Sequence, residues 1–155
     1  MIKKYEGGIY VSYIEKSNII YNLEAKDKYE VIKALAKKLN DNGYLNDFDL
    51  FLEDVIERED QITTGVGNGI AIPHGKSKAI KKSTIAMATL INPINWESLD
   101  GEETKYVFLL AIKDGDGTEH LRVLANLSAK LMDDAYISSI KESKSLEQLY
   151  EAINL

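Results

Sequence analysis

Cysteine is absent from these 155 residues, and histidine occurs only twice. The lack of cysteine excludes a disulfide scaffold, a cysteine-ligated zinc site, an iron–sulfur cluster and a thiol nucleophile. Chemistry that needs a ring titrating near neutral pH therefore falls to His74 or His120. Positive charge is not in excess: 19 Lys and Arg stand against 25 Asp and Glu, a net of −6. A general nucleic-acid binder needs a basic face that releases counterions, so no nucleic-acid partner is expected. Long apolar runs are missing too. The longest uncharged stretch, Ser83 to Trp96, is broken by Ser, Thr, Asn and Pro93 and falls short of the ~18 apolar residues of a membrane span. Behind Lys3 and Lys4 there is no apolar segment of the kind a signal peptide has. Charge is spread evenly, with no tail, repeat or low-complexity segment. The chain reads as one cytoplasmic domain, residues 1–155, with no direct membrane insertion. A chain of this length buries enough surface to fold without staples.

What is present divides into clear segments. Asp27 with Glu30 three residues on has the form of a capping box, Val31, Ile32, Leu35 and Leu39 follow at helical spacing, and Gly43 is a natural stop. A second helix is predicted from Asn46 or Asp47 to about Glu59, with Leu50, Phe51 and Val55 as its apolar pattern. Thr63 to Gly69 is too glycine-rich for regular structure. Ser83–Ile91 alternates as a strand that Pro93 ends, and Tyr106–Ile112 is apolar on both faces, as in a sheet covered by helices on each side. A third helix carries Leu121, Leu124, Leu127, Ser128 and Leu131, and a last one runs from about Ser145 to Ile153. Two helices, then strands, then two helices predict an α/β fold, a three-layer α/β/α sandwich with a mixed central β-sheet flanked by helices.

Several residues stand out for chemistry, each with a plainer reading beside it. His74, between Pro73 and Gly75, is expected on a constrained bend; an isolated Pro-His pair is more often a surface loop. Gly65, Gly67 and Gly69 match neither a dinucleotide fingerprint nor a P-loop, although free N–H groups there could cradle an anion; the plainer reading is a turn. His120 falls in the first turn of the third helix with Thr118 as its N-cap, where backbone N–H groups favour a phosphoryl group; a lone histidine there is more often structural. Arg58 offers a phosphate-shaped fork, or a surface ion pair with Glu57, Glu59 or Asp60. Lys76, Lys78, Lys81 and Lys82 suit an anionic ligand, or simply a solvated face.

Arg58-Glu59 followed by the run from Thr64 to Ser77 (TGVGNGIAIPHGKS) resembles the signature of enzyme IIA of the bacterial phosphoenolpyruvate-dependent sugar phosphotransferase system, fructose/mannitol type. Asn22–Lys28, Ser98–Gly101 and Glu119–Leu121 fit the same pattern, whereas residues 1–17 form an N-terminal segment that it does not place. The resemblance implies that His74 is phosphorylated by the histidine of a phosphocarrier protein and passes the group to a cysteine of an enzyme IIB, serving a membrane sugar permease indirectly. It also implies that His120 contacts the phosphoryl group, that Arg58 is the active-site arginine and that Thr64 lies near the site; Thr118, at the start of the third helix, is expected with Thr64 in the phosphoryl-binding environment. Elementary chemistry is compatible. A histidine nucleophile splits one transfer into two steps, and in-line phosphoryl transfer needs mainly positioning and stabilisation of the equatorial oxygens. No cofactor and no metal are expected.

Three other readings stand beside this one. The same resemblance admits a phosphorylation-state sensor of the nitrogen-related branch. A metal hydrolase would use His74 and His120 with Asp114, Asp116 or Glu119. An interaction domain with a decayed site would not need both histidines.

Overall fold

Ten residues of strand, from Thr104 to Lys113, form the spine of the protein in a computed structural model that describes the backbone of residues 2–4, 10–12, 14–115 and 118–154. Side chains are described for residues 14–115, 118, 122 and 125–154. Strands β1 (Ile2–Lys4) and β2 (Tyr10–Ser12) pair antiparallel as a separate hairpin. The main sheet contains β3 (Ile19–Leu23), β4 (Gly65–Gly67), β5 (Ile70–Ala71), β6 (His74–Ser77), β7 (Thr84–Ile94) and β8 (Thr104–Lys113). Its order is β3-β7-β8-β5-β4, with β6 also on β8. Helices α1 (Lys28–Asp41) and α2 (Phe48–Gln61) precede β4, and α3 (Glu119–Leu131), α4 (Asp134–Glu142) and α5 (Leu146–Ile153) follow β8. The pairing is mixed: β7–β8 is antiparallel, while β3–β7, β5–β8 and β6–β8 are parallel.

The alternation of β7 and β8 sorts the core into two layers. Ala86, Ala88, Leu90, Val107, Leu109 and Ala111 bury against Val31, Ile32 and Leu35 of α1 and Phe51 and Val55 of α2. Ile85, Met87, Phe108, Leu110 and Ile112 bury on the other face with Leu127 and Leu131 of α3, Ile137 and Ile140 of α4 and Leu149 and Ile153 of α5. The three-layer α/β/α sandwich is therefore present, and β8 is covered on both faces, as its unbroken apolar run requires.

Local signals act where expected. Asp27 caps α1 by accepting from Glu30 N–H at 2.9 Å, while the Glu30 carboxylate reaches back to Lys26 N–H at 3.1 Å. Asp47 caps α2 through Leu50 N–H at 3.1 Å. The structure departs from the sequence expectation at five places. Leu50 is 40% exposed, and the buried line of α2 is Phe51, Val55 and Glu59. Gly65–Gly67 is a strand, because it pairs with Ile70–Ala71. Pro93 does not end β7; it sits in an irregular stretch between Thr89 and Ile94, where the ladder asks for no N–H from it. Helix α4 is additional, capped by Asp133 through Ala135 N–H at 2.9 Å. Finally, His74 opens a strand instead of a bend. Ala71 lies opposite Val107 and His74 opposite Leu110, so β5 and β6 follow one register along β8, interrupted only at Ile72-Pro73.

No helix among the described residues is long and apolar enough to cross a membrane.

Candidate active site

The interruption between β5 and β6 is where the chemistry concentrates. Pro73 has no N–H, but its carbonyl still accepts from Leu110 N–H at 3.0 Å, so the edge of the sheet stays closed around it. His74 is half-buried. Its register partner Leu110 belongs to the core layer shared with α3, so the imidazole stands on that face. Gly75 turns to the opposite face, where a Cβ would lie 2.8 Å from Val55 Cγ2 and 3.4 Å from Val55 N. That absence of a side chain lets α2 press directly onto β6. Gly75→Ala is expected to cost about 1–3 kcal/mol by overpacking, because Val55 is fully buried and has nowhere to go. A thermal melt reads the effect, and an unchanged midpoint would show that α2 is not held at this point.

The ring of His74 is fixed by one bond. Nδ1 lies 3.0 Å from Ile72 O. A carbonyl oxygen only accepts, so Nδ1 carries the proton and, in the neutral ring, Nε2 carries the lone pair.

Arg58 is half-buried near the end of α2, one turn beyond Val55. It forms no ion pair with its acidic neighbours among the described residues. Nη1 instead donates to Ile62 O at 2.8 Å, satisfying a carbonyl just beyond the helix end. That carbonyl is two residues from Thr64, whose own carbonyl accepts from Ile72 N–H at 3.0 Å. The motif arginine and the motif histidine thus belong to neighbouring segments of one paired region.

Thr64 is buried, and its hydroxyl is occupied: it donates to Glu59 Oε1 and accepts from Trp96 Nε1 at 3.2 Å. Glu59 also accepts from Thr64 N–H at 2.8 Å and lies 3.6 Å from Lys28 Nζ, which is shared with Glu97 at 3.5 Å. Beside this pair the Tyr29 hydroxyl donates to Asp60 at 2.6 Å; that bond first, then desolvation, pushes the phenol up to about 12. Sequence reading gave Lys28 and Trp96 no role, and took Glu59 only as part of the motif and as a surface partner for Arg58. A usable signal was there: Glu59 falls four residues after Val55 on the buried line of α2, and a carboxylate in a core position demands partners.

The glycine loop offers less to a ligand than expected. Gly67 and Gly69 adopt φ of +96° and +79°, which a side chain would resist. The adjoining Asn68 N–H is already taken by Asp100 Oδ2 at 3.0 Å, and Glu102 N–H by Asp100 Oδ1 at 3.0 Å. These two backbone bonds, Glu102 first, hold the Asp100 carboxyl below its ordinary range. The chain supplies its own anion there.

Thr118 occupies the N-cap position of α3 but makes no side-chain cap; it is exposed, with φ −90° and ψ 0°. His120 is the second residue of α3, and its side chain lies outside the described residues, as do those of Glu119, Leu121 and Leu124 and all of Asp116. Lys76 pairs with Asp114 at 3.8 Å, and Lys78, Lys81 and Lys82 are exposed. Among the described residues no three His, Asp or Glu side chains gather as a metal site.

A sequence model described as "Phosphoenolpyruvate-dependent sugar phosphotransferase system, EIIA 2" matches residues 12–155. The chain is 35% identical over 141 residues to the PTS system fructose-specific EIIABC component of Bacillus subtilis, covering 91% of this chain and 22% of that protein. It is 34% identical over 126 residues to the PTS system fructose-specific EIIA component of Haloferax volcanii, covering 81% of this chain and 82% of that one. The chain thus spans about a fifth of the first relative and most of the second. In structure it is similar to the nitrogen regulatory protein IIA-Ntr of Neisseria meningitidis, with a TM-score of 0.82, 26% identity, and coverage of 90% of this chain and 95% of that one. The match from residue 12 onward, over the two-faced sheet and the Thr64–Ser77 motif, means that this chain belongs to the EIIA 2 family of the sugar phosphotransferase system.

Proposed function

We propose that this chain carries a phosphoryl group on His74 Nε2 between two proteins, in uptake of a fructose-type sugar. The observation that carries the proposal is the bond from His74 Nδ1–H to Ile72 O, which commits the other nitrogen to the lone pair. In the first step that lone pair attacks phosphorus and the N–P bond of a phosphocarrier's phosphohistidine breaks, its electron pair remaining on the donor nitrogen. In the second, a cysteine thiolate of an enzyme IIB attacks and the pair returns to Nε2. The Ile72 carbonyl holds Nδ1–H throughout, so the ring changes charge without turning over.

Arg58 has one of its five N–H donors on Ile62 O and turns others toward the transferring group's equatorial oxygens. His120 assists from the first turn of α3, and Thr118 and the helix N-terminus add backbone dipoles. Thr64 contributes through the backbone it anchors.

Arg58→Ala is expected to slow transfer about ten- to hundredfold, the worth of one charged hydrogen bond in the transition state. Its stability should change by no more than about 1 kcal/mol, since one neutral acceptor is released near the surface. A variant that unfolds but keeps its specific rate would make Arg58 purely structural. The reading as a whole is tested by incubating the chain with enzyme I, phosphocarrier and labelled phosphoenolpyruvate and mapping the phosphohistidine. Label on His74 supports it; label elsewhere, or none, overturns it.

The likeness to a nitrogen regulatory protein favours a second reading, a sensor whose phosphorylation state is the output. A panel of enzyme IIB acceptors separates the two. Efficient transfer to one of them means transport, and phosphorylation with no acceptor means sensing.

A further inference from the structure

The buried carboxylate of Glu59 and the ring of His74 are joined by three consecutive hydrogen bonds. Glu59 Oε2 accepts from Thr64 N–H at 2.8 Å. Thr64 O accepts from Ile72 N–H at 3.0 Å. Ile72 O accepts from His74 Nδ1–H at 3.0 Å. We propose that Glu59 is a positioning residue that, through Thr64 and Ile72, selects the Nδ1–H tautomer of His74 and so decides which ring nitrogen is nucleophilic.

The physical need is specific. Helix α2 ends at Gln61, and Ile62–Thr64 must turn back into the sheet without helical hydrogen bonds to guide it. Glu59 reaches forward from the last turn and takes both donors of Thr64, its N–H and its hydroxyl. Trp96 Nε1 closes the far side of that hydroxyl. Thr64 is thereby held on three bonds before it pairs with Ile72. The short β4–β5 ladder has a register shift between Gly65 and Gly67, so it has little rigidity of its own to aim the Ile72 carbonyl. A carboxylate whose side chain is fully buried is costly unless paired and hydrogen-bonded. Lys28 supplies the opposite charge from the first turn of α1. A simple helix-end cap would need neither the burial nor the lysine.

This inference rests on the reading of His74 as carrier only for its catalytic consequence. Its test reads the ring directly. Two histidines in the whole chain give two sets of ring signals in ¹⁵N-histidine spectra of the full protein, assigned with His74→Ala. In the native protein His74 should show a protonated Nδ1 and an unprotonated Nε2. Glu59→Ala should lower the Nδ1–H fraction of His74 and slow phosphorylation about fivefold or more, the effect of one hydrogen bond lost from the relay, while the His120 signals stay in place. Glu59→Gln should restore both readouts, because its amide oxygen still accepts from Thr64 N–H. A folded Glu59→Ala with an unchanged His74 tautomer overturns the proposal. If that variant does not fold, Thr64→Ala removes only the hydroxyl arm. A smaller shift in the same direction is then expected, and no shift overturns the proposal. Loss of the Nδ1–H signature in a protein that is never phosphorylated would leave the relay standing and sink the transfer function instead.

Discussion

His74→Ala should abolish acceptance of the phosphoryl group while leaving the chain folded. The side chain is half-buried and contributes one hydrogen bond, to Ile72 O at a partly exposed position, so its removal leaves an acceptor that water can reach. The stability loss should stay near 1 kcal/mol. The loss of transfer should be total, because the proposed mechanism passes through a covalent bond to this ring and the chain holds no cysteine to replace it. Labelled phosphoenolpyruvate with enzyme I and phosphocarrier reads the result on a gel. A variant still labelled on a histidine would move the covalent role to His120 and reject the present assignment.

The second large effect concerns stability. Trp96 is fully buried, the largest such side chain in the protein. It packs in the layer between the sheet and α1 and α2, its Nε1 donates to Thr64 Oγ1 at 3.2 Å, and its carbonyl accepts from the Thr63 hydroxyl at 2.7 Å. Trp96→Ala should cost about 3–5 kcal/mol, cavity and transfer terms together. Against a typical total of 5–15 kcal/mol, that brings the fold close to its limit. Because Trp96 is the sole tryptophan, denaturant unfolding must be followed by circular dichroism. A loss below about 1 kcal/mol would mean that the site collapses around the missing ring. Trp96→Phe, which keeps most of the volume but not the N–H, should recover most of the stability and still loosen Thr64.

These two expectations differ in where they were legible. His74 was visible as a candidate from the Pro-His-Gly context and the family signature around it, and the capped starts of α1 and α2 were visible from Asp27 and Asp47. Such features depend on residues within a few positions of one another. The central run of β8 announced burial on both faces because no polar residue interrupts it. Strand β6 was not legible: Lys76-Ser77 has no apolar alternation, and only pairing with β8 makes His74–Ser77 extended. Helix α4 went unseen, though Tyr136, Ile137 and Ile140 bury on α5 and its neighbours. Thr64 was marked by the motif, but its hydroxyl belongs to Glu59 and Trp96, which lie 5 and 32 residues away in the chain.

By itself the sequence determined the class of fold, the family, and the scarcity that makes His74 and His120 the only imidazoles available. Those conclusions follow from composition, local periodicity and a contiguous motif. Only the tertiary structure decided which nitrogen of His74 is free, that Asp100 occupies the Asn68 amide of the glycine loop, and that Arg58 answers a carbonyl in place of an acid. Each is a hydrogen bond between groups whose partners are chosen by how the sheet edge and α2 meet. A donor's partner depends on distance in space, and the chain sets that distance only after it has folded.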